Sequence, residues 1–309
     1  MPTPEPIVAV VIVNWNQRNL VLEAVRSFEE ADYKHTLVII VDNGSSDGSA
    51  ESLKEEHQAV ILIENNRNLG FARASNQGME EALKRGADYV FFFNNDAVIA
   101  PDCIDRLLDV FEDSPTTGAA APFIYYHNKP DIIWYGGGTV ALWRGWIGHR
   151  FIRRKHNEVN HKTSTTDYIT GCAFMIKSGI LSEVGGFDTG YGMYSEDVDL
   201  SLRIREKGFD LKVVPDAKAY HRISASAGGA LSPLKSFHRG RSMVILIKRW
   251  VEFWETPTLL AGGIIGGIFM TIKLILTGSG SAIFPFWNGI INGFLGGSIP
   301  KKYSVGESE

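Results

Sequence analysis

Short runs of β-branched and aromatic residues recur along the first hundred positions, and each stops abruptly at polar residues. Ile7–Val13 ends at Asn14-Trp15-Asn16, and Leu37–Val41 ends at Asp42-Asn43-Gly44-Ser45-Ser46-Asp47-Gly48. Val60–Ile63 runs into Asn65-Asn66-Arg67-Asn68-Leu69-Gly70, and Tyr89–Phe93 into Asn94-Asn95-Asp96. An unbroken apolar run bounded by turn residues predicts a strand buried on both faces. Between the runs, apolar positions fall at helical spacing: Val21, Ala24, Val25 and Phe28, a helix through about Arg85, then Ile104, Leu107, Leu108 and Phe111 after Pro101. Such alternation predicts an α/β fold with a mostly parallel central sheet and helices on both faces. It also gathers the polar strand ends along one rim, where open α/β sheets bind ligands.

After Gly118 the pattern loosens. The Gly136-Gly137-Gly138 stretch and the basic, aromatic segment Trp143–His161 look like an acceptor-side insertion. Regularity returns at Tyr168–Lys177 and Gly185–Gly208, with a helix expected over Ser201–Lys207 and a strand at Val213-Val214. Near the end, Leu259–Leu276 is apolar and glycine-rich with one charge, Lys273, and Ala282–Leu295 is apolar and aromatic. Arg239, Arg241, Lys248 and Arg249 precede these segments, and Lys301-Lys302 follow. A spanning helix needs about 20 apolar residues, and the glycines weaken one here. Segments lying in the headgroup region fit better than spanning helices or a buried hairpin of helices. The expected division is therefore residues 1–240 and a membrane-associated helical region, 241–309.

A hydrophobic content of 44% supports a sizeable core, and a net charge of -4 gives no reason to expect nucleic acid as a partner. Two cysteines, Cys103 and Cys172, support neither a disulfide framework nor a zinc cluster. The N-terminal Met-Pro-Thr-Pro-Glu-Pro lacks the basic start and apolar core of a signal peptide. The expected location is cytoplasmic, at the inner face of the cell membrane.

The chemistry concentrates at the strand ends. Asn14 and Asn16 flank Trp15 and can offer amides and an aromatic face to a nucleobase. Asp42, with Asn43, can accept hydrogen bonds from a base or ribose. Arg67 and Gly70 lead into a helix N-terminus, which is a ready anion site. Asn95-Asp96 ends the aromatic strand, where a hard cation that offsets a diphosphate wants oxygen ligands. Downstream, Glu196 and Asp197 fall in the first turn of a helix, where the macrodipole stabilises carboxylates and a general base stays ionised. His221 can supply imidazole to the same metal as Asp96, with Arg222, Ser224 and Ser226 near phosphate. Singly, each has an ordinary reading: a turn Asp, a solvated Arg, capping acids, a surface His. Four such elements at strand ends of one sheet point to a nucleotide site.

Val41-Asp42-Asn43-Gly44-Ser45-Ser46-Asp47-Gly48, Asn68-Leu69-Gly70-Phe71, Asn94-Asn95-Asp96 and Ser195-Glu196-Asp197-Val198-Asp199-Leu200, in this order, resemble the family 2 glycosyltransferases of the GT-A fold. The likeness is to the rhamnosyltransferase-like branch of cell-envelope polysaccharide assembly, and it covers roughly the first three quarters of the chain. It implies a GT-A domain over 1–240, a nucleotide-diphosphate sugar donor (dTDP-rhamnose or another hexose), Mg²⁺ or Mn²⁺, and inversion at the anomeric carbon. By the resemblance, Asp42 contacts the nucleoside and Asp96 is the last Asp of the Asp-x-Asp metal motif. Asn94 replaces the first Asp, as in that branch, which removes one carboxylate from the metal or turns Asn94 toward the ribose. Glu196-Asp197 matches the acidic pair near the acceptor, with Asp197 the base, and His221 matches a metal-binding His. The implied acceptor is a lipid-linked glycan. The competing readings are a polyisoprenyl-phosphate glycosyltransferase, a sugar-nucleotidyltransferase and a non-catalytic membrane-bound sugar-binding protein.

Overall fold

A computed structural model describes residues 5–222, 232–252 and 256–304. Strands and helices alternate at first: β1 (Val8–Asn14), α1 (Arg18–Glu29), β2 (Thr36–Asp42), α2 (Ser49–Glu56), β3 (Ile61–Glu64), α3 (Phe71–Lys84) and β4 (Tyr89–Asn94). A short β5 (Ala97–Ile99) then leads into α4 (Cys103–Asp113). The middle of the chain holds β6 (Thr117–Tyr126), β7 (Lys129–Tyr135), the hairpin β8 (Gly138–Ala141) with β9 (Trp146–His149), and β10 (Ser164–Thr165). It continues with β11 (Ala173–Lys177), α5 (Ser178–Val184), α6 (Glu196–Glu206) and β12 (Asp210–His221). Three helices close it: α7 (Pro233–Trp250), α8 (Thr256–Leu276) and α9 (Ile283–Leu295).

The main sheet runs β10-β12-β6-β11-β4-β1-β2-β3, with β5 beside β12 and β7 beside β6. The parallel part that strand–helix alternation predicts is β4-β1-β2-β3. Beyond it the sheet is mixed, because β11 pairs antiparallel with both β4 and β6. A parallel neighbour needs a crossover helix, and β11 instead enters from the insertion.

Alternation along β4 explains how both faces are covered. Phe91 and Phe93 meet Phe28 of α1 edge-on, at 5.8 and 4.9 Å. Phe92 points the other way and packs on Phe174 and Phe187, at 5.1 and 4.9 Å. Phe187 in turn meets Phe71 at the start of α3, 5.5 Å away.

The loosened stretch after Gly118 conceals β6, which is buried along almost its whole length. Ala119-Ala120-Ala121-Pro122 carries little strand propensity, yet small side chains suit a position wedged between two strands. Pairing with β11 ends at Ala120, so Pro122 withholds an N–H where that ladder no longer needs one.

Helix α7 runs through residue 240 without a break. It meets α9 at close range, since a Cβ on Gly240 would strike Phe286 and one on Gly289 would strike Phe237. Among the described residues, no helix is long and apolar enough to cross a membrane. α8 and α9 nevertheless turn apolar side chains outward, including Ile265, Phe269, Ile275, Phe284, Phe294 and Leu295.

Candidate active site

The rim is a hydrogen-bonded lattice of strand ends. β1 and β2 finish in register, Asn14 beside Asp42. Asn14 is fully buried; its Nδ2 donates to Asp42 Oδ1 at 3.1 Å and Ser45 Oγ at 3.3 Å, and its Oδ1 accepts from Asn95 Nδ2 at 2.8 Å. That amide braces three loops. Asn43 is likewise internal: it donates to Asn68 Oδ1 at 2.9 Å and accepts from the Leu69 N–H at 2.9 Å. It therefore shapes the loop carrying Arg67 and Gly70. Asp42 accepts from the Ser45 N–H at 2.9 Å through its second oxygen.

Asn16 holds a left-handed φ of 52° and binds the same loop, its N–H donating to Ser45 Oγ at 2.9 Å and its Oδ1 accepting from the Ser46 N–H at 2.8 Å. Gly44, at φ 79°, is required where it stands, because a Cβ would lie 2.6 Å from the Arg67 Cα. The Arg67 segment is thus laid directly over the Asp42 loop, with the Arg67 side chain exposed. Trp15 stays half-buried and available at the edge of this lattice.

Asp96 and His221 meet although 125 positions separate them in sequence. β5 pairs with β12 so that Ala97 faces His221, and His221 Nε2 lies 3.0 Å from Asp96 Oδ1. Burial opposes charge on His221, but the Cys172 sulfur and the Asp96 carboxylate outweigh it and push its pKa up to about 10. Burial raises the pKa of the Cys172 thiol itself, which leaves Asp96 as the charge that matters. His221 Nδ1 is buried without a hydrogen-bond partner, and the buried Asp96 Oδ1 has its contact with His221 Nε2. Among the described residues, no group of three or more His, Cys, Asp and Glu could hold a metal. A carboxylate oxygen and an imidazole fit Mg²⁺ or Mn²⁺ only in a site that phosphate oxygens complete, which is how Mg²⁺ is commonly held. The Asn94 N–H is taken by the Cys172 carbonyl at 2.8 Å. Arg222 pairs with Glu23, and its N–H reaches the Asp96 carbonyl at 2.8 Å. Ser224 and Ser226 lie outside the described residues.

The acidic pair opens α6. Asp197 Oδ2 accepts from the Gly171 N–H at 2.9 Å, and Oδ1 from the Val198 N–H at 2.8 Å. Burial raises the Asp197 pKa, and these two amides hold it back. Glu196 has less such help, from its own backbone N–H alone. Its Oε2 is buried and unpartnered although the residue as a whole is half-buried, and burial, then the Asp197 charge, push its pKa up to about 8. Of the pair, Asp197 is the one whose charge the two amides favour, and Glu196 is the one pushed toward keeping its proton.

The turn before α6 is strained, with Tyr194 at φ 70° and Ser195 at φ 67°. Left-handed non-glycine residues cost on the order of 1–3 kcal/mol each, so the surroundings must hold them. Helix α7 does so: Ser242 Oγ donates to the Met193 carbonyl at 2.7 Å, and Arg241 to the Gly190 carbonyl at 2.8 Å. The sequence assigns no task to Asp199, which is fully buried. It accepts from Tyr191 at 3.1 Å, Arg203 at 2.9 Å and Trp250 at 3.0 Å, binding α6 to the end of α7. Sequence reasoning also passed over Gly171 and Cys172, which carry no local signal beyond preceding a strand.

A parallel half-sheet with a nucleotide-type rim, a carboxylate–imidazole pair and a separate buried acidic pair defines a sugar-nucleotide transferase of the GT-A fold. Residues 9–185 match the profile of glycosyl transferase family 2, and the chain belongs to that family. It is 26% identical over 269 residues to N-acetylglucosaminyl-diphospho-decaprenol L-rhamnosyltransferase of Mycobacterium tuberculosis, covering 81% of this chain and 87% of that protein. Among solved structures, the mannosyltransferase PcManGT of Pyrobaculum calidifontis, in complex with GDP-Man and Mn²⁺, superposes with a TM-score of 0.59 at 17% identity. That match covers 96% of this chain and 89% of the other. GalNAc-T7 with UDP, GalNAc and Mn²⁺ matches at TM-score 0.67 and 18% identity, over 82% of this chain and 49% of its own. These two likenesses concern the fold.

Proposed function

We propose that this glycosyltransferase is an inverting, metal-assisted enzyme that moves a sugar from a nucleotide-diphosphate donor to a hydroxyl of a lipid-linked glycan. dTDP-rhamnose, or another nucleoside-diphosphate hexose, is the donor in this reading. The observation that carries it is the division of labour around Gly171-Cys172. On one side Asp197 accepts two backbone amides; on the other, Asp96 and His221 lie 3.0 Å apart with His221 Nδ1 buried and unpartnered. The similarity to the mycobacterial rhamnosyltransferase over most of both chains supports the choice of acceptor.

Asp42 and Trp15 receive the nucleoside, and the loop of Arg67 and Gly70 faces the diphosphate. Asp96 and His221 would hold Mg²⁺ or Mn²⁺, which when bound supplies Lewis-acid stabilisation to the departing nucleoside diphosphate. Asp197 takes the acceptor proton as the acceptor oxygen attacks the anomeric carbon from the face opposite the leaving group. A single displacement of this kind inverts the centre. Protonated Glu196 keeps a second negative charge away from the attacking oxygen. The outward apolar faces of α8 and α9, with Lys273 and Lys301-Lys302 beside them, would rest on the inner face of the membrane, where a lipid-linked acceptor resides.

The test is nucleoside diphosphate release from dTDP-, UDP- and GDP-sugars, with and without a prenyl-diphospho-N-acetylglucosamine acceptor. One donor should be consumed, and faster when acceptor is present. Absence of transfer from every donor would overturn the reading.

A further inference from the structure

The turn before the acidic pair is held by α7 and also by a segment that returns from beyond α9. Gly192, Tyr194 and Ser195 stand at φ 78°, 70° and 67°, all left-handed. Such a conformation is imposed by its surroundings, because L side chains disfavour it. Side chains of α7 take the carbonyls on either side of Gly192: Arg241 donates to Gly190 and Tyr191, and Ser242 to Met193. Gly192 itself is gripped by packing. A Cβ there would lie 2.9 Å from Ile299 Cδ1 and 3.2 Å from His238 Cε1.

Ile299 belongs to the segment that follows α9 and folds back over α7. The Ser298 carbonyl accepts from Asn292 Nδ2 at 3.1 Å, and a single turn, Lys301–Tyr303, then buries Tyr303. The Tyr303 ring stacks on Phe237 of α7, with centroids 4.2 Å apart and planes 13° from parallel. Its carbonyl accepts from His238 Nε2 at 2.8 Å. His238 is fully buried, and its Nδ1 has no hydrogen-bond partner. A buried nitrogen without a partner costs stability that a hydrocarbon side chain would not. What the imidazole contributes is the bond from its other nitrogen, made while the ring edge bears on Gly192.

We propose that residues 299–303, fastened through His238 and Tyr303, form a clasp that sets the position of Asp197. The inference rests on the reading of Asp197 as the base. Asp197 lies two positions beyond Ser195 and reaches the Gly171 N–H at 2.9 Å. Release of the clasp frees Gly192 on one side, lets the left-handed turn relax, and loosens the start of α6 against Gly171. The nucleoside end of the rim is built on other elements, β1 and β2. His238 and Tyr303 are thus positioning residues that act through the turn.

The experiment uses the full chain and compares wild type with Y303A, Y303F, H238A and H238Q. Y303A and H238A should lower kcat about tenfold to a hundredfold, with nucleoside diphosphate affinity held within about twofold. Y303F keeps the ring and the backbone carbonyl and should stay close to wild type. H238Q keeps a donor nitrogen and should fall between H238A and wild type. Hydrogen exchange, followed by mass spectrometry, should quicken over residues 190–198 in Y303A and H238A and stay unchanged over β1 and β4. Should Y303A not fold, H238Q carries both readouts at smaller size. An equal loss of nucleoside diphosphate affinity would overturn the inference by making the clasp a support of the whole fold. Unchanged exchange over residues 190–198 would overturn it outright. Exchange needs no sugar transfer. Quickened exchange without transfer from any donor therefore sinks the glycosyl-transfer reading alone, and unchanged kcat in Y303A and H238A sinks this inference alone.

Discussion

The Gly171 N–H donates to Asp197 Oδ2 at 2.9 Å, and the next residue, Cys172, accepts the Asn94 N–H at its carbonyl, 2.8 Å away. Two consecutive residues at the head of β11 thus tie the acidic pair to the end of β4. A shift of this strand end would move the base relative to Asp96. The antiparallel entry of β11 is what brings Gly171 there.

Asp197→Asn should abolish transfer while preserving nucleotide binding. Loss of a general base costs about 10²- to 10⁴-fold in rate, and the amide keeps the side chain's size. Comparing kcat with nucleoside diphosphate affinity in one preparation decides the point; near-normal turnover would remove Asp197 from the role.

Glu196 sets a pH dependence. Its folded pKa of about 8 lies above the ordinary 4.5, so the folded state binds the extra proton between these values. Its contribution is present below pH 4.5 and is lost as pH rises toward 8, with a limiting slope of about 1.4 kcal/mol per pH unit. Glu196→Gln mimics the protonated form and should flatten that decline in urea melts across pH 5–9, while retaining activity at neutral pH.

Metal removal should silence the enzyme, with Mg²⁺ or Mn²⁺ restoring it. His221 must give up its proton to become a ligand, and its pKa is raised to about 10, so metal affinity should climb with pH and binding should release a proton. Asp96→Ala should raise the half-activating Mn²⁺ concentration at least about tenfold, a loss usual even for groups behind metal ligands. Full activity in excess chelator would refute the metal role.

Asp199→Ala should destabilise the fold by about 3–5 kcal/mol, because it strands Arg203 around a buried site built for a carboxylate. Urea unfolding measures this, and Trp250 fluorescence should report loosening of α7 before global unfolding.

Phe269→Glu with Phe294→Glu should leave stability within about 0.5 kcal/mol, since both side chains are mostly exposed, at 67% and 60%. Binding to anionic vesicles should weaken by about tenfold or more, from the apolar area withdrawn from the bilayer. Unaltered co-sedimentation would exclude α8 and α9 as the contact.

By itself the sequence determined the parallel half-sheet and the whole polar rim. Strands buried on both faces must be continuously apolar, so the points where they stop were visible as Asn14, Asp42 and Asn94-Asn95-Asp96. Burial, hydrogen-bond direction and long-range pairing leave no such mark. Asn14 and Asn43 read as donor contacts, and only packing shows that their amides also brace the loops around them. β6 was hidden because an alanine run earns its strand from its neighbours. Tertiary structure alone decided the entry of β11, the 3.0 Å contact by which Asp96 meets His221, the amides that Asp197 accepts, and the bracket of Asp199 and α7. Each depends on which groups exclude water from one another, and that is a property of the folded chain.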